Sequence, residues 1–166
     1  MRKEILREVR KQFCQRLMTR VPEFRAQSGV VPGMDLYKWE MTPKKSVFIA
    51  LIPNSKPYHD SFMIEIAWSS GEFPETASLQ HQNRISTGVS GRLRLPQLWR
   101  ENWRGAIEPW WEAGESLTLQ NSDRYHSDEE TQRRIAMVPS IVDDAVSKIV
   151  RYAIPFFKQA TAGYPQ

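Results

Sequence analysis

The run from Val47 to Trp68, VFIALIPNSKPYHDSFMIEIAW, contains two strongly apolar segments separated by a turn-rich connector. Val47 to Ile52 is apolar on both faces, whereas Phe62 to Trp68 alternates large apolar residues with smaller or charged ones. Both segments are rich in β-branched and aromatic residues, which favour strands, and the connector is rich in proline, serine and asparagine, which favour turns. We therefore predict an antiparallel β-hairpin that the rest of the chain covers.

A helix is predicted on each side of this hairpin. Apolar residues recur at steps of three and four from Arg2 to Val21, with charged residues between them, and Pro22 ends the pattern. Ser127 and Glu130 match a capping box, so a second helix should begin near Asp128.

Two prolines fall within the second helical pattern. We expect Pro139 to interrupt the helix with a bend or a restart, because Ser140 and Asp143 offer a second cap just after it. We expect Pro155 to kink or end the last turn.

Two further strands are predicted outside the hairpin. Tyr37 to Met41 alternates in the manner of a half-buried strand, and Gly91 to Leu95 places two leucines on one face and two arginines on the other. Three segments are predicted to lie outside the strands. Arg25 to Gly33 is predicted to be a loop, and Ser69 to Gly88 a loop with one short helical turn at Ser78 to Gln82. Glu108 to Glu112 is predicted to form a helical turn that begins near Pro109. The predicted fold is a single α+β domain spanning residues 1–166. An antiparallel sheet of about four strands carries the N-terminal and C-terminal helices on one face.

Composition limits the class of protein without defining its activity. The 166 residues are 40% hydrophobic and 25% charged and include six tryptophans, which is typical of a globular domain. A single cysteine, Cys14, cannot form an internal disulfide, and no apolar run is long enough for a membrane span or a signal peptide. We expect a cytoplasmic protein without membrane contact. The net charge of +4 permits nucleic-acid binding but does not require it.

No pattern in the sequence indicates catalysis, a metal or a cofactor. The candidate donors are scattered: Cys14, His59, Asp60, Glu65, His81 and His126. A general base or weak metal site made of His59, Asp60 and Glu65 is possible at the hairpin end, but a loop histidine is usually a solvated surface group. A nuclease site would need lysine where Ala67 stands. We therefore expect a protein that is not an enzyme and has no cofactor.

The quoted strand FMIEIAW, the segment GRLRLPQLW, the pair Trp110 and Trp111 and the closing YAIPFF together resemble a family of small bacterial proteins known only as a domain of unknown function. The resemblance covers most of the chain. It implies an antiparallel sheet, a strand rich in arginine and leucine, a tryptophan pair and a C-terminal helix. It implies no catalytic residues.

Arginines and tryptophans that crowd together after position 84 form the candidate binding surface. With residues of the preceding strands, the predicted ligand or partner surface comprises Tyr37, Trp39, Glu65, Trp68, Arg92, Arg94, Trp99, Arg100, Trp103, Arg104, Trp110 and Trp111. The alternative is structural: the arginines form the wet face of a strand, and the tryptophans hold it to the core.

Three functions follow as hypotheses. The first is a non-catalytic binding or interaction module with a protein partner. The second is a nucleic-acid-binding protein in which tryptophans stack on bases and arginines neutralise phosphates; it would use Arg92, Arg94, Trp99, Arg100, Trp103 and Arg104. The third is a small-ligand protein or enzyme with a pocket between the sheet and the C-terminal helix, where Tyr37, Trp39, Glu65, Trp68 and Arg94 would converge.

Overall fold

An antiparallel sheet covered by helices forms the centre of the fold. A computed structural model describes residues 1–28, 32–56, 58–74, 90–99, 111–114 and 127–162. In chain order the elements are α1 (Lys3–Arg20), β1 (Arg25–Gln27), β2 (Asp35–Thr42), β3 (Lys45–Pro53), β4 (Ser61–Ser69), β5 (Gly91–Arg94), a 3₁₀ turn (Leu95–Leu98), β6 (Trp111–Glu112), α2 (Asp128–Lys148), a π-helical turn (Ile149–Ala153) and α3 (Ile154–Ala162). The arrangement confirms the predicted α+β class.

The hairpin of β3 and β4 is the one that the sequence predicts. The two strands pair antiparallel without a break, from Ser46 opposite Ser69 to Pro53 opposite Phe62. Every residue of β4 is buried, as are the first seven residues of β3. A strand that is buried on both faces needs apolar residues on both, which explains the continuous apolar run in β3.

The sheet has more strands than expected. Within the described residues it has six, where the sequence predicts about four, and five of them lie in the order β1-β2-β3-β4-β5. The sixth, β6, pairs with Ser61 and Phe62 of β4, whereas β5 pairs with Glu65 to Trp68. Because β3 occupies the other edge of β4 along its length, β5 and β6 lie end to end on the same edge.

Two predictions are wrong at these additional strands. Arg25–Gln27, which the sequence places in a loop, pairs with β2, and Trp111–Glu112, which it places in a helical turn, pairs with β4. Segments of two or three residues are too short to show a period of two. Trp111 is also held beside β4 by its side chain, because its ring stacks on Phe62 with centroids 5.8 Å apart. The helical turn predicted at Ser78 to Gln82 lies outside the described residues.

The helix boundaries agree closely with the sequence patterns. α1 buries Ile5, Val9, Phe13 and Leu17, which form the apolar stripe of its pattern. The Ser127 hydroxyl accepts a hydrogen bond from the Glu130 backbone nitrogen at 3.2 Å and caps α2, as predicted. Among the helices that the structure describes, none combines the length and the apolar character that a bilayer span requires.

Neither proline ends the C-terminal helical region. α2 continues through Pro139, so the predicted interruption is wrong. Val138 and Val142 are fully buried on either side of Pro139, and this packing offsets the hydrogen bond that proline cannot donate. Pro155 is the second residue of α3, which begins directly after the π-helical turn. The wider π-helical turn before it leaves room for the proline ring, which a regular α-helical turn would press against the carbonyl four residues earlier, so the helix continues past Pro155.

The main core lies between one face of the sheet and the helices. One buried cluster joins side chains of α1, α2, the π-helical turn and α3 to alternate residues of β2, β3 and β4, such as Tyr37, Ile49 and Ile66. The two terminal helical regions therefore cover the same face, as predicted. A smaller cluster on the opposite face contains Leu36, Phe48, Ala50 and Ala67.

Candidate functional site

The predicted surface residues of β2 and β4 belong to the core. Tyr37 and Trp68 are buried on the helix-covered face of the sheet, and Trp39 is half-buried against the same cluster. Tyr37 packs on Phe13 with ring centroids 5.4 Å apart. Burial raises the pKa of the Tyr37 phenol, so its hydroxyl stays neutral at physiological pH.

Glu65, Arg92 and Arg94 lie on the opposite face of the sheet. Glu65 faces Ala50 on β3 and Arg94 on β5. Arg92 donates to the Glu65 carboxylate and lies over the Phe73 ring, with 4.9 Å between the guanidinium carbon and the ring centroid. These three residues therefore do not converge with Tyr37 and Trp68, and the pocket of the third hypothesis does not assemble.

Trp99, half-buried against the core, and Trp111, a buried member of the core, are the predicted tryptophans that meet around Lys148. They belong to what we call the aromatic–cation cluster, formed by Trp99, Trp111, Asp144, Lys148 and Tyr152. The other predicted members of this region, Arg100, Trp103, Arg104 and Trp110, lie outside the described residues.

Lys148 occupies the centre of the aromatic–cation cluster. Its Nζ lies 5.9 Å from the centroid of Trp99 and 5.8 Å from that of Trp111. Asp144, one turn earlier on α2, accepts from Lys148 Nζ at 2.5 Å and from Trp111 Nε1 at 2.9 Å. A cation between two indole rings gains from their electron-rich faces, and the carboxylate fixes its position.

The second aromatic contact extends the cluster along the helix. Tyr152 stacks against Trp99 with centroids 4.7 Å apart and planes inclined by 31°. Tyr152 lies in the π-helical turn, whose extra residue per turn changes the direction of its side chains relative to α2. The Arg151 guanidinium lies over the Tyr152 ring at 5.2 Å from its centroid. Val150, in the same π-helical turn, is 39% exposed.

The surroundings of Asp144 favour its ionised form. Partial burial raises the pKa of Asp144, but the hydrogen bonds from Lys148 and Trp111 outweigh that effect and leave the pKa below its ordinary value. Asp144 is therefore ionised near neutral pH.

A buried charge network is the feature that sequence reasoning missed. Arg134 is fully buried and donates to Glu130 at 2.7 Å, to Asp60 at 3.5 Å and to the Ala113 carbonyl oxygen at 3.1 Å. Arg2 donates to the same Asp60 carboxylate through its backbone nitrogen at 2.8 Å and through Nε at 3.0 Å. These bonds join the start of α1, the start of β4, the end of β6 and the first turns of α2.

One signal in the sequence points to this network. Glu130, Arg134, Val138 and Val142 recur every four residues, so the apolar stripe of α2 carries two charged residues at its start. A charged pair on a buried stripe needs partners from elsewhere in the fold. Gly114 leaves room for the Arg134 side chain. A Cβ at position 114 would lie 3.3 Å from the Arg134 guanidinium carbon, and the φ of +92° at this position favours glycine.

The predicted base or metal site at the hairpin end does not form. Asp60 is bonded by Arg2 and Arg134, whereas Glu65 is bonded by Arg92 on the other face of the sheet. In the described part of the chain no three histidine, cysteine or acidic residues are grouped so that they could hold a metal ion.

Protonation of Glu130 should weaken the fold in acid. The hydrogen bond from Arg133 is the largest influence on the pKa of Glu130 and lowers it. Burial raises this pKa and the hydrogen bond from Arg134 lowers it further, so that the pKa is about 2. Because the folded-state pKa is below that of the unfolded chain, the unfolded state binds more protons in this range. Stability present above about pH 4.5 should therefore be lost as the pH falls toward 2.

Thermal unfolding at a series of pH values measures this loss. A Glu130→Gln variant should depend less on pH over that range, and an unchanged dependence would contradict the assignment.

Two of the open grooves on the described surface have volumes in the range of small-molecule sites. The larger, of about 480 Å³, lies beside the sheet edge and is lined by Glu23, Arg25, Gln27, Lys38, Trp39 and Glu40. The smaller, of about 320 Å³, lies between α1 and α2. Neither lies between the sheet and the helices, where the apolar side chains pack together.

Comparison with known proteins adds no identification to these observations, and the family resemblance of the sequence stays a prediction. No family model, no curated protein and no solved structure matches the chain.

Proposed function

We propose that this protein is a non-catalytic binding module whose aromatic–cation cluster contacts an acidic segment of a protein partner. The observation that carries the proposal is the stacked pair of half-buried rings, Trp99 and Tyr152, beside Lys148 and Arg151 on one surface. Tryptophan, tyrosine and arginine are enriched among the few residues that supply most of the binding energy in protein interfaces.

The scaffold beneath the cluster supports this role. Ile149 and Ala153 are fully buried and hold the π-helical turn against the core. Trp111 is fixed by its stacking on Phe62 and by its bond to Asp144. Side chains that are already ordered lose little entropy on binding, so more of the contact energy appears as affinity.

The local charge favours an acidic partner. The stretch from Asp144 to Ala160 carries Lys148, Arg151 and Lys158 against the single carboxylate of Asp144, a net charge of +2. Charge complementarity of this kind increases the association rate and selects against basic surfaces.

The arrangement of arginines favours a protein over a nucleic acid. Arg92 is paired with Glu65 on the sheet, and Arg10 of α1 is paired with Asp35. An arginine that already binds a carboxylate must give up that bond before it can neutralise a phosphate, which reduces the gain from counterion release.

Site-specific photo-crosslinking tests the proposal. A photoreactive phenylalanine analogue is placed at Val150, an exposed residue of the π-helical turn that carries Tyr152, and in a control protein at Arg7, which is exposed on α1. After irradiation in the cells that produce the protein, mass spectrometry should identify a protein adduct at Val150 that the control lacks. Trp99→Ala should abolish this adduct, and Arg151→Glu should reduce it, while circular dichroism shows that both variants stay folded.

Two outcomes would contradict the proposal. Equal adducts at Val150 and Arg7 would mean that crosslinking reports collisions and not a docking surface. A nucleic-acid adduct at Val150 that is lost at high salt would support the second hypothesis, nucleic-acid binding, in place of a protein partner.

A further inference from the structure

A polar groove lies between α1 and α2. It has a volume of about 320 Å³ and is lined by Gln12, Gln15, Arg16, Thr19, Arg20 and Asp143. Asp143 enters it from α2 and the others from α1. A groove of this volume is at the lower end of the range of small-molecule sites.

Two guanidinium groups converge on one oxygen in this groove. Arg16 Nη1 lies 3.0 Å and Arg20 Nη2 lies 2.8 Å from the same Asp143 Oδ1. Arg16 Nε also donates to Gln12 at 3.3 Å, and Arg20 Nη1 donates to the Ser147 hydroxyl at 2.6 Å. The two arginines are one helical turn apart on α1, so their forks face the groove side by side.

Asp143 satisfies these arginines only in part. A guanidinium has five N–H donors, and the contacts within the described residues use two on Arg16 and two on Arg20. A carboxylate that offers one oxygen cannot engage the rest. A tetrahedral oxyanion offers more acceptor oxygens and can bind two guanidinium forks at once.

Asp143 is also a weak competitor for the site. The side chains of Arg16, Arg20 and Asp143 are 30%, 40% and 45% exposed, so water and salt screen their attraction. The three charges sum to +1, and release of the Asp143 carboxylate into water raises the charge facing a ligand to +2. A dianion gains more from that change than a monoanion does.

We propose that this groove binds a phosphate monoester, with Arg16 and Arg20 as its ligands and Asp143 as the internal group that the phosphate displaces. The site does not depend on the aromatic–cation cluster, and it adds a second recognition surface to the proposed module. The phosphate can belong to a phosphorylated side chain or to a small metabolite, because both present the same dianionic group.

Titration with inorganic phosphate at constant ionic strength, followed by NMR of the arginine Nε–Hε signals, tests the site. We expect saturable shifts at Arg16 and Arg20. Arg16→Gln and Arg20→Gln should each weaken binding about tenfold, and Asp143→Asn should strengthen it about threefold or more. Arg7→Gln, which removes an exposed arginine elsewhere on α1, should leave the affinity unchanged. Trp99→Ala should also leave it unchanged, which separates this test from that of the proposed function.

Three further ligands identify what the groove recognises. A phosphoserine peptide that binds more tightly than glycerol phosphate assigns the phosphate to a protein, and the reverse order assigns it to a metabolite; either result supports the site. Dimethyl phosphate, a monoanion, should bind more weakly than both. Equal binding of this diester, an effect of Arg7→Gln as large as that of Arg16→Gln, an unchanged affinity in Asp143→Asn, or the absence of saturation would each overturn the proposal.

Discussion

Replacing Arg134 with methionine is expected to lower the free energy of unfolding by about 3–5 kcal/mol. The Arg134 side chain is 0% exposed and donates to two carboxylates, Glu130 and Asp60, that are themselves buried. Methionine suits the helix and fills much of the same space, but it leaves both carboxylates short of a donor in the protein interior. Urea unfolding followed by circular dichroism measures the change as a lower midpoint with an unchanged slope.

Arg133→Met is the matched control for this prediction. Arg133 binds the same Glu130 carboxylate at 2.7 Å and 2.9 Å, but its side chain is 49% exposed. A solvent-exposed ion pair contributes about 0–1 kcal/mol, so this variant should lose much less stability. Equal losses in the two variants would mean that burial adds nothing to the role of Arg134, and the network would then be an ordinary surface ion pair.

The elements that could be predicted from the sequence are those with a local signal. β3 and β4 are long enough to show their apolar pattern, and Ser127 marks the start of α2 through the spacing of a capping box. β1 and β6 have three and two residues and exist because a neighbouring strand offers them backbone partners. That partnership is a property of the folded chain and leaves no period in the sequence.

The buried network could not be predicted because its members are far apart in the chain. Asp60 lies 74 positions before Arg134 and 58 positions after Arg2. The sequence shows only that Arg134 falls on an apolar stripe, and not which carboxylate comes from the sheet to meet it. Non-local pairs of this kind are set by the topology of the sheet and helices.

Part of the predicted binding surface lies in the core, and this difference has another cause. Trp68 and Trp99 are the same residue type, and tryptophan is common both in cores and at interfaces. Alternation in β4 showed that Trp68 shares a face with Ile64 and Ile66, but it did not show which face the helices cover. The fold buries Trp68 in the core and leaves Trp99 half-buried against the same core.

Trp68→Ala is therefore expected to lower the free energy of unfolding by about 3–5 kcal/mol. Trp68 is fully buried in the central strand, between Val47 of β3 and Gly91 of β5. Its ring meets Phe156 of α3 edge-on, with centroids 5.1 Å apart. Alanine would leave a cavity that a strand paired on both sides cannot close. Chemical denaturation again provides the measurement.

Trp99→Ala removes the same side chain from the aromatic–cation cluster and should lower the free energy of unfolding by about 0.5–1.5 kcal/mol, since it loses mainly its contacts with Tyr152 and Lys148. The two substitutions thus separate a tryptophan that holds the fold together from one that is available to a partner. A loss at Trp99 as large as that at Trp68 would make Trp99 a core residue too. The proposed binding surface would then lack its main aromatic contact, because the Trp99 ring would be occupied by contacts within the fold.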